Sequence, residues 1–409
     1  MKFKLSIENN QQLALFALFL FCLLRPICSL DFPAITNISV LRINQIFNMA
    51  SSYLFLIVIL LGIRNIKLKS NEITIILLMA YASISVLWGS EPREIVRFIF
   101  PSFIFFLIQV CQPDKTHILK MLKILVLSFS FTMIVNAILI TCNYGAWATN
   151  YWSGIKRYQG LYGGPHSLAH ESLVFLLIIG IFYVLKISSN LEMNKAFKYI
   201  ALSLVAITIF NIFKSYTRTV YLGLATIAMF YMLGKKHYVL IFILLAMFPV
   251  IVFKSDLFHQ VFFDVIDPLE GSKGIETMGS GRLGLWREAL NIYLENPERY
   301  FIGRGLGKEV IVGSFFGASH NDLISLLCSL GLTGLALYLL MMFLFVFDIL
   351  TSPIERTLKF LSIGYIFSVI LMNFLSNSYL NRFQLGQYFF FVIGILSAHC
   401  KLQKSKLYR

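Results

Sequence analysis

The chain is a succession of long apolar runs broken by short polar segments. The runs fall at 12–28, 47–63, 73–89, 95–111, 121–142, 168–186, 197–213, 218–234, 238–254, 322–350, 357–376 and 385–400. Each is close to the roughly 20 residues that a helix needs to cross the hydrocarbon core. The pattern predicts an all-α polytopic membrane protein of about 12 transmembrane helices, since helices satisfy their own backbone groups in lipid. The first run lies where a signal peptide would. It has no small-x-small cleavage site and closes on Arg25-Pro26, so it is expected to remain as an anchor.

Two segments interrupt this rhythm. Residues 143–167 are rich in aromatics and glycine, and residues 255–321 form the one sizeable non-membrane stretch. The expected organisation is therefore helices 1–9 over 1–254, a large loop over 255–321, and helices 10–12 over 322–409. Within the loop, Trp286, Ala289, Leu290 and Tyr293 recur at i, i+3, i+4 and i+7. This predicts an amphipathic helix lying against the membrane domain, with Ser280 as its cap and Asn296-Pro297 as its stop. Gly303-Arg304-Gly305-Leu306-Gly307 follows as a turn. No strand–helix alternation surrounds it, so it is not a dinucleotide fingerprint.

Composition agrees. Hydrophobic residues make up 58% and charged residues 13%, against about a quarter charged in soluble domains. A soluble enzyme, a disordered chain and a nucleic-acid partner are excluded on this ground. The net charge of +15 is read as retention of Lys and Arg in cytoplasmic loops. With the N-terminus inside, the inner segments carry 19 of the 35 basic residues, the short outer segments 9 and the long loop 7. Both termini are then expected in the cytoplasm. The six cysteines show neither CxxC nor metal-ligand spacing and read as small buried side chains.

The candidate chemistry lies at the outer helix ends. Arg218 opens the eighth run, Arg282 opens the loop helix, and His320 precedes the tenth run. Singly, each arginine reads as a side chain snorkelling to headgroups, and His320 as an interfacial polar residue. Together, two guanidinium forks and an imidazole suit an anionic lipid head. His320 is the expected general base, Asp322 a second base or orienting group, and Asn321 a helix cap or a sugar ligand. Arg93 and Arg97 share a face, where they meet phosphate or pair with Glu94. Trp147, Tyr151, Trp152, Tyr158 and Tyr162 are candidates to stack on sugar rings, the alternative being an interfacial aromatic belt. His166 and His170 share a helix face, but no third metal ligand is evident, and neither metal nor cofactor is expected. His166 and Arg304 are further candidates for substrate contact.

The stretches SVLWGSEPREIVR (85–97), TRT (217–219), GRLGLWREAL (281–290), ENPERYFIGRGLG (295–307) and SHNDLISLLCSLGLTGLALY (319–338) resemble the O-antigen ligase and polymerase superfamily. The resemblance covers most of residues 80–340. It implies a GT-C-type helical bundle in the bacterial inner membrane with one large periplasmic loop. It also implies a glycosyltransferase taking an undecaprenyl-pyrophosphate-linked oligosaccharide, with Arg218, Arg282 and His320 as its functional residues. Polymerase and ligase share these motifs, and overall similarity favours the polymerase. A chain-length regulator protein is an expected partner. A carrier or flippase for the lipid-linked glycan is the alternative of another class. It would need a polar path through the bilayer, whereas ionisable residues cluster at the outer ends of the runs.

Overall fold

A computed structural model describes residues 7–30, 43–63, 66, 68–147, 156–187, 195–243, 281–308, 319–376, 379–380 and 382–407. The helices are α1 (Ile7–Cys28), α2 (Ile43–Gly62), α3 (Ser70–Ile84), α4 (Pro92–Ile99), α5 (Phe103–Cys111), α6 (Lys115–Thr141), α7 (Pro165–Ile187), α8 (Lys195–Ser215), α9 (Arg218–Gly234), α10 (Arg282–Leu294), α11 (Asp322–Thr351), α12 (Arg356–Leu375) and α13 (Phe383–Leu407). Among the described residues, ten helical stretches are long and apolar enough to cross a membrane, with α3 and α4 each extended by a 3-10 turn and α4 running on into α5. The apolar helix α9 is shorter, at 17 residues. The run at 238–254 is described only to residue 243. This is an all-α polytopic membrane protein, as the apolar runs predict.

α7 and α13 are the most enclosed helices, and the others are arranged around them. α9 runs along α12, where Gly364 admits the Phe230 side chain and Phe230 stacks on Phe367 at 5.4 Å. Phe129, Phe175 and Tyr388 join α6, α7 and α13 in one aromatic core. A two-residue antiparallel ladder, β1 (Ala146–Trp147) with β2 (Arg157–Tyr158), closes the connection between α6 and α7.

α11 is not continuous. Gly331 takes φ 66° and ψ −171°, so the helical hydrogen bonds stop and restart around it. The orphaned groups are met by residues 300–305. Leu332 N donates to the Tyr300 carbonyl (2.8 Å) and Thr333 N to that of Phe301 (3.3 Å). In return, the Cys328 and Ser329 carbonyls accept from Arg304 N (2.9 Å) and Gly305 N (2.8 Å). The Tyr81 hydroxyl donates within reach of both Phe301 O (2.9 Å) and Leu330 O (3.1 Å). A Cβ on Gly331 would meet the Phe301 carbonyl at 2.4 Å, and one on Gly303 the Ser329 carbonyl at 2.3 Å. The glycine-rich turn is thus the brace of a broken membrane helix.

The amphipathic loop helix is present as α10. Ala289 and Tyr293 are buried, Trp286 and Leu290 pack against them, and Cys328 of α11 completes the cluster. Trp286 also meets Phe374 of α12 at 5.3 Å. The N-cap position belongs to Gly281, in a left-handed conformation, rather than to Ser280. The helix ends at Leu294, and Pro297 opens a 3-10 turn. All six cysteines are free. Cys142 is exposed, against expectation, because α6 ends at Thr141 and leaves it in the following turn.

Candidate functional site

The helix order brings the starts of α4, α7, α9, α10, α11 and α13 to one end of the bundle. Ser215–Thr217 turns α8 into α9, and the hairpin arginine holds that turn. Arg157 Nε donates to the Ser215 carbonyl (3.0 Å) and Nη2 to Thr217 Oγ1 (3.3 Å). Arg218 follows at the first position of α9, and the charges of Arg282 and Arg157 bear on it. Arg282, at the first position of α10, donates to the Leu375 carbonyl at the end of α12. Its charge acts on four basic neighbours: Arg157, His166, Arg218 and His320.

His320 stands two residues before α11 with φ 52°, a left-handed backbone that is uncommon outside glycine. Asn321 fixes it there, its Oδ1 accepting from Leu323 N and Ile324 N at 3.0 Å each. Asn321 is therefore the cap of α11, one of its two expected roles. Burial and the Arg282 charge hold the His320 imidazole below its usual value of 6.5, which favours the neutral base. Burial also lowers Arg282 and Arg157 from the ordinary arginine value. Asp322 is 1% exposed. Its Oδ2 accepts from Leu380 N (3.2 Å), and its charge offsets part of the burial cost of Arg382.

Beside this group opens a cleft of about 1100 Å³. Its lining holds four arginines, Arg93, Arg97, Arg157 and Arg382, together with His166, and no carboxylate among the described residues. Arg382 Nη1 donates to Ser167 Oγ (3.1 Å), tying the start of α13 to that of α7. One rim is apolar. Met49, Tyr53 and Val96 line it and are exposed. Arg157 belongs to the cleft and also to the Arg218–Arg282 group, so it joins the two.

The structure gathers Arg218, Arg282 and His320, and it places Arg93, Arg97 and His166 on the neighbouring cleft. Arg97 also pairs with Glu94 at 3.4 Å. Arg304 contributes its backbone to the brace of α11, and its side chain lines neither the cleft nor the smaller pocket beside it. The Tyr158 hydroxyl binds Asn143 Oδ1 (2.6 Å), with Lys156 over its ring. Tyr162 is 1% exposed in the core and offers no face to a sugar, because the turn at 160–164 folds inward over α6. Tyr151, Trp152 and the Trp147 side chain lie outside the described residues. His170 is buried against Tyr379. No group of three His, Cys, Asp or Glu that could hold a metal forms among the described residues.

Arg157 and Arg382 are site residues that the motifs did not single out. Beneath the cleft floor lies a third such residue, Arg25, fully buried. Its Nη1 donates to Asn48 Oδ1 (2.7 Å), its Nη2 to Asn44 Oδ1 (2.9 Å), and its charge bears on the buried Glu171 of α7.

Fold and site define a multi-pass membrane protein with a cluster of arginines and histidines at one end of the bundle. Residues 202–339, about a third of the chain, match the family model described as O-antigen ligase. The matched stretch contains Arg218, Arg282 and His320, and it agrees with the resemblance carried by the motifs. No curated protein matches the chain. The match supports O-antigen ligase- or polymerase-type activity in general, and with it a glycosyltransferase-like membrane enzyme.

Proposed function

We propose that the chain is a surface-polysaccharide polymerase at the outer, periplasmic face of the bacterial inner membrane. It transfers a glycan from undecaprenyl pyrophosphate to a further lipid-linked repeat unit. The observation that carries this reading is the arrangement of Arg218, Arg282 and His320 beside a cleft lined by four arginines and an exposed apolar rim. The rim suits a polyprenyl tail, and the arginines suit its pyrophosphate. The acceptor hydroxyl attacks the anomeric carbon from the face opposite the leaving group. The carbon–oxygen bond to pyrophosphate breaks, and the electron pair leaves with the phosphate. The hydroxyl proton passes to His320. Guanidinium forks take up the charge that develops on the leaving oxygen, and one such donor in a dry site is worth about 3–4 kcal/mol. This is inverting transfer without a metal.

Two basic groups, one on the cleft and one around Arg282, support a polymerase in particular. Both of its substrates carry a lipid pyrophosphate, whereas a ligase holds only one. The description of the matched family supports the second reading, a ligase that moves the finished glycan to lipid A–core. A deletion strain separates them. Lipopolysaccharide capped with a single repeat unit is the expected result. Bare core with accumulated lipid-linked polymer would make the protein the ligase. Bare core with no periplasmic lipid-linked unit would make it a carrier.

A further inference from the structure

A second, smaller pocket of about 140 Å³ adjoins the arginine cleft. Its electrical character is opposite. The polar lining is Glu94, Asp322, Ser325 and Ser329, with Arg97 on the side shared with the cleft. Asp322, Ser325 and Ser329 stand at i, i+3 and i+7 on α11, one face of the helix just before its break. All three are buried, so this is a cavity with converging polar groups rather than a stretch of solvated surface. Phe98, Leu326 and Leu380 supply apolar wall.

The roof is the end of the glycine-rich turn, and it is fixed. Leu306 N donates to Ser90 Oγ (2.7 Å), and the Leu306 carbonyl accepts from Glu91 N (2.9 Å). The preceding residues are tied to α11 by the brace described above. The pocket therefore keeps its shape without an occupant, as a recognition site must.

Two carboxylates repel a phosphate. Carboxylate and hydroxyl oxygens beside an apolar wall instead suit a neutral polyhydroxylated ring, which presents O–H donors at its edge and C–H groups on its face. The geometry points to this pocket as the seat of a single acceptor sugar ring, bound through Glu94, Asp322, Ser325 and Ser329. The inference rests on the reading of the protein as a glycan transferase and names its acceptor subsite. Asp322 lies two residues from His320, the proposed base, at the same helix start. The Glu94–Arg97 pair separates the neutral subsite from the anionic one, so that sugar and pyrophosphate are sorted by charge.

The test uses the full chain in lipid nanodiscs and two probes. Methyl glycosides of a hexose, a 6-deoxyhexose and an N-acetylhexosamine are examined by saturation-transfer NMR. Sugar-free undecaprenyl pyrophosphate reports on the cleft. Ser329→Met fills the pocket, and the double variant Ser325→Ala with Ser329→Ala removes two hydroxyls without adding bulk. At least one glycoside is expected to bind the wild type. Losing two neutral hydrogen bonds should weaken it about tenfold or more in the double variant, with lipid pyrophosphate binding unchanged. If Ser329→Met does not fold, the double variant decides. No glycoside bound by the wild type, equal binding in the variants, or parallel loss of both probes overturns the subsite. Failure of the wild type to bind the lipid pyrophosphate, with glycoside binding intact, counts against the transferase reading alone.

Discussion

The two ends of the helix bundle hold positive charge in different company. At the end away from the site, two lysines have carboxylate partners on other helices. Lys401 pairs with Glu72 at 2.7 Å and donates to Gln109, and Lys404 pairs with Asp348 at 2.7 Å. Arg356 donates to the Tyr238 hydroxyl (2.8 Å), and Lys359 to the Leu350 carbonyl (2.8 Å). At the site end, the charges that bear on Arg157, Arg218 and His320 include that of Arg282, a like charge. Confining like charges in half-buried positions is costly. The first end ties helices together, and under the proposed function the second receives an anion that offsets the repulsion.

The largest way to break this contrast is His320→Ala. Transfer is expected to fall by about 10²–10⁴-fold, as for other lost general bases, with membrane protein level near normal. A full polysaccharide ladder from the variant would remove His320 from the chemistry. Next come Arg218→Lys and Arg282→Lys. Each is expected to cost about 10²–10³-fold, because a point charge does not reproduce a planar fork on phosphate. Normal ladders from both would reduce the pair to headgroup contacts.

A finer probe is the His320 titration. Its value lies below 6.5, so the neutral base persists as pH falls through 6.5 and is lost only in more acidic solution. Arg282→Gln removes a repelling cation, so the transition should move up toward 6.5, read by NMR of labelled histidine. An unmoved transition would mean that burial alone sets it. The smallest effect on transfer is expected at the opposite end. Glu72→Gln should lower stability by about 1–3 kcal/mol, since it leaves Lys401 without its charge partner. Transfer at permissive temperature should be unchanged. A loss of transfer with unchanged thermal stability would show the paired end to be more than scaffold.

Much of this was legible in the chain. Apolar run length gives the spans because lipid permits few alternatives to a helix. Helical periodicity places α10. The short segments expected on the outer side, where Lys and Arg are scarce, also hold most of the site. Of their nine basic residues, Arg93, Arg97, Arg157, Arg218 and Arg382 are site groups, and Arg25 lies beneath the cleft. Arg157 and Arg382 carry no signal in the sequence because no motif surrounds them. Only the hairpin and the α7–α13 contact bring them inward. Tyr162 differs from expectation for the converse reason: aromatic composition does not tell a ring that faces a ligand from one that faces the core. The break at Gly331 was hidden because a glycine inside an apolar run is common and the partner that satisfies it lies about thirty residues upstream.

That break bears on how the protein is made. A span with two carbonyls and two amides turned out of the helical ladder is a poor candidate for release into lipid by itself. Residues 300–305 are synthesised before α11, so the strip that will receive its orphaned groups already exists when the helix emerges. Membrane entry of α11 and docking of the preceding loop are then one event. A substitution at Gly303 should appear first as a defect of insertion, with His320 stranded on a segment that has not been seated.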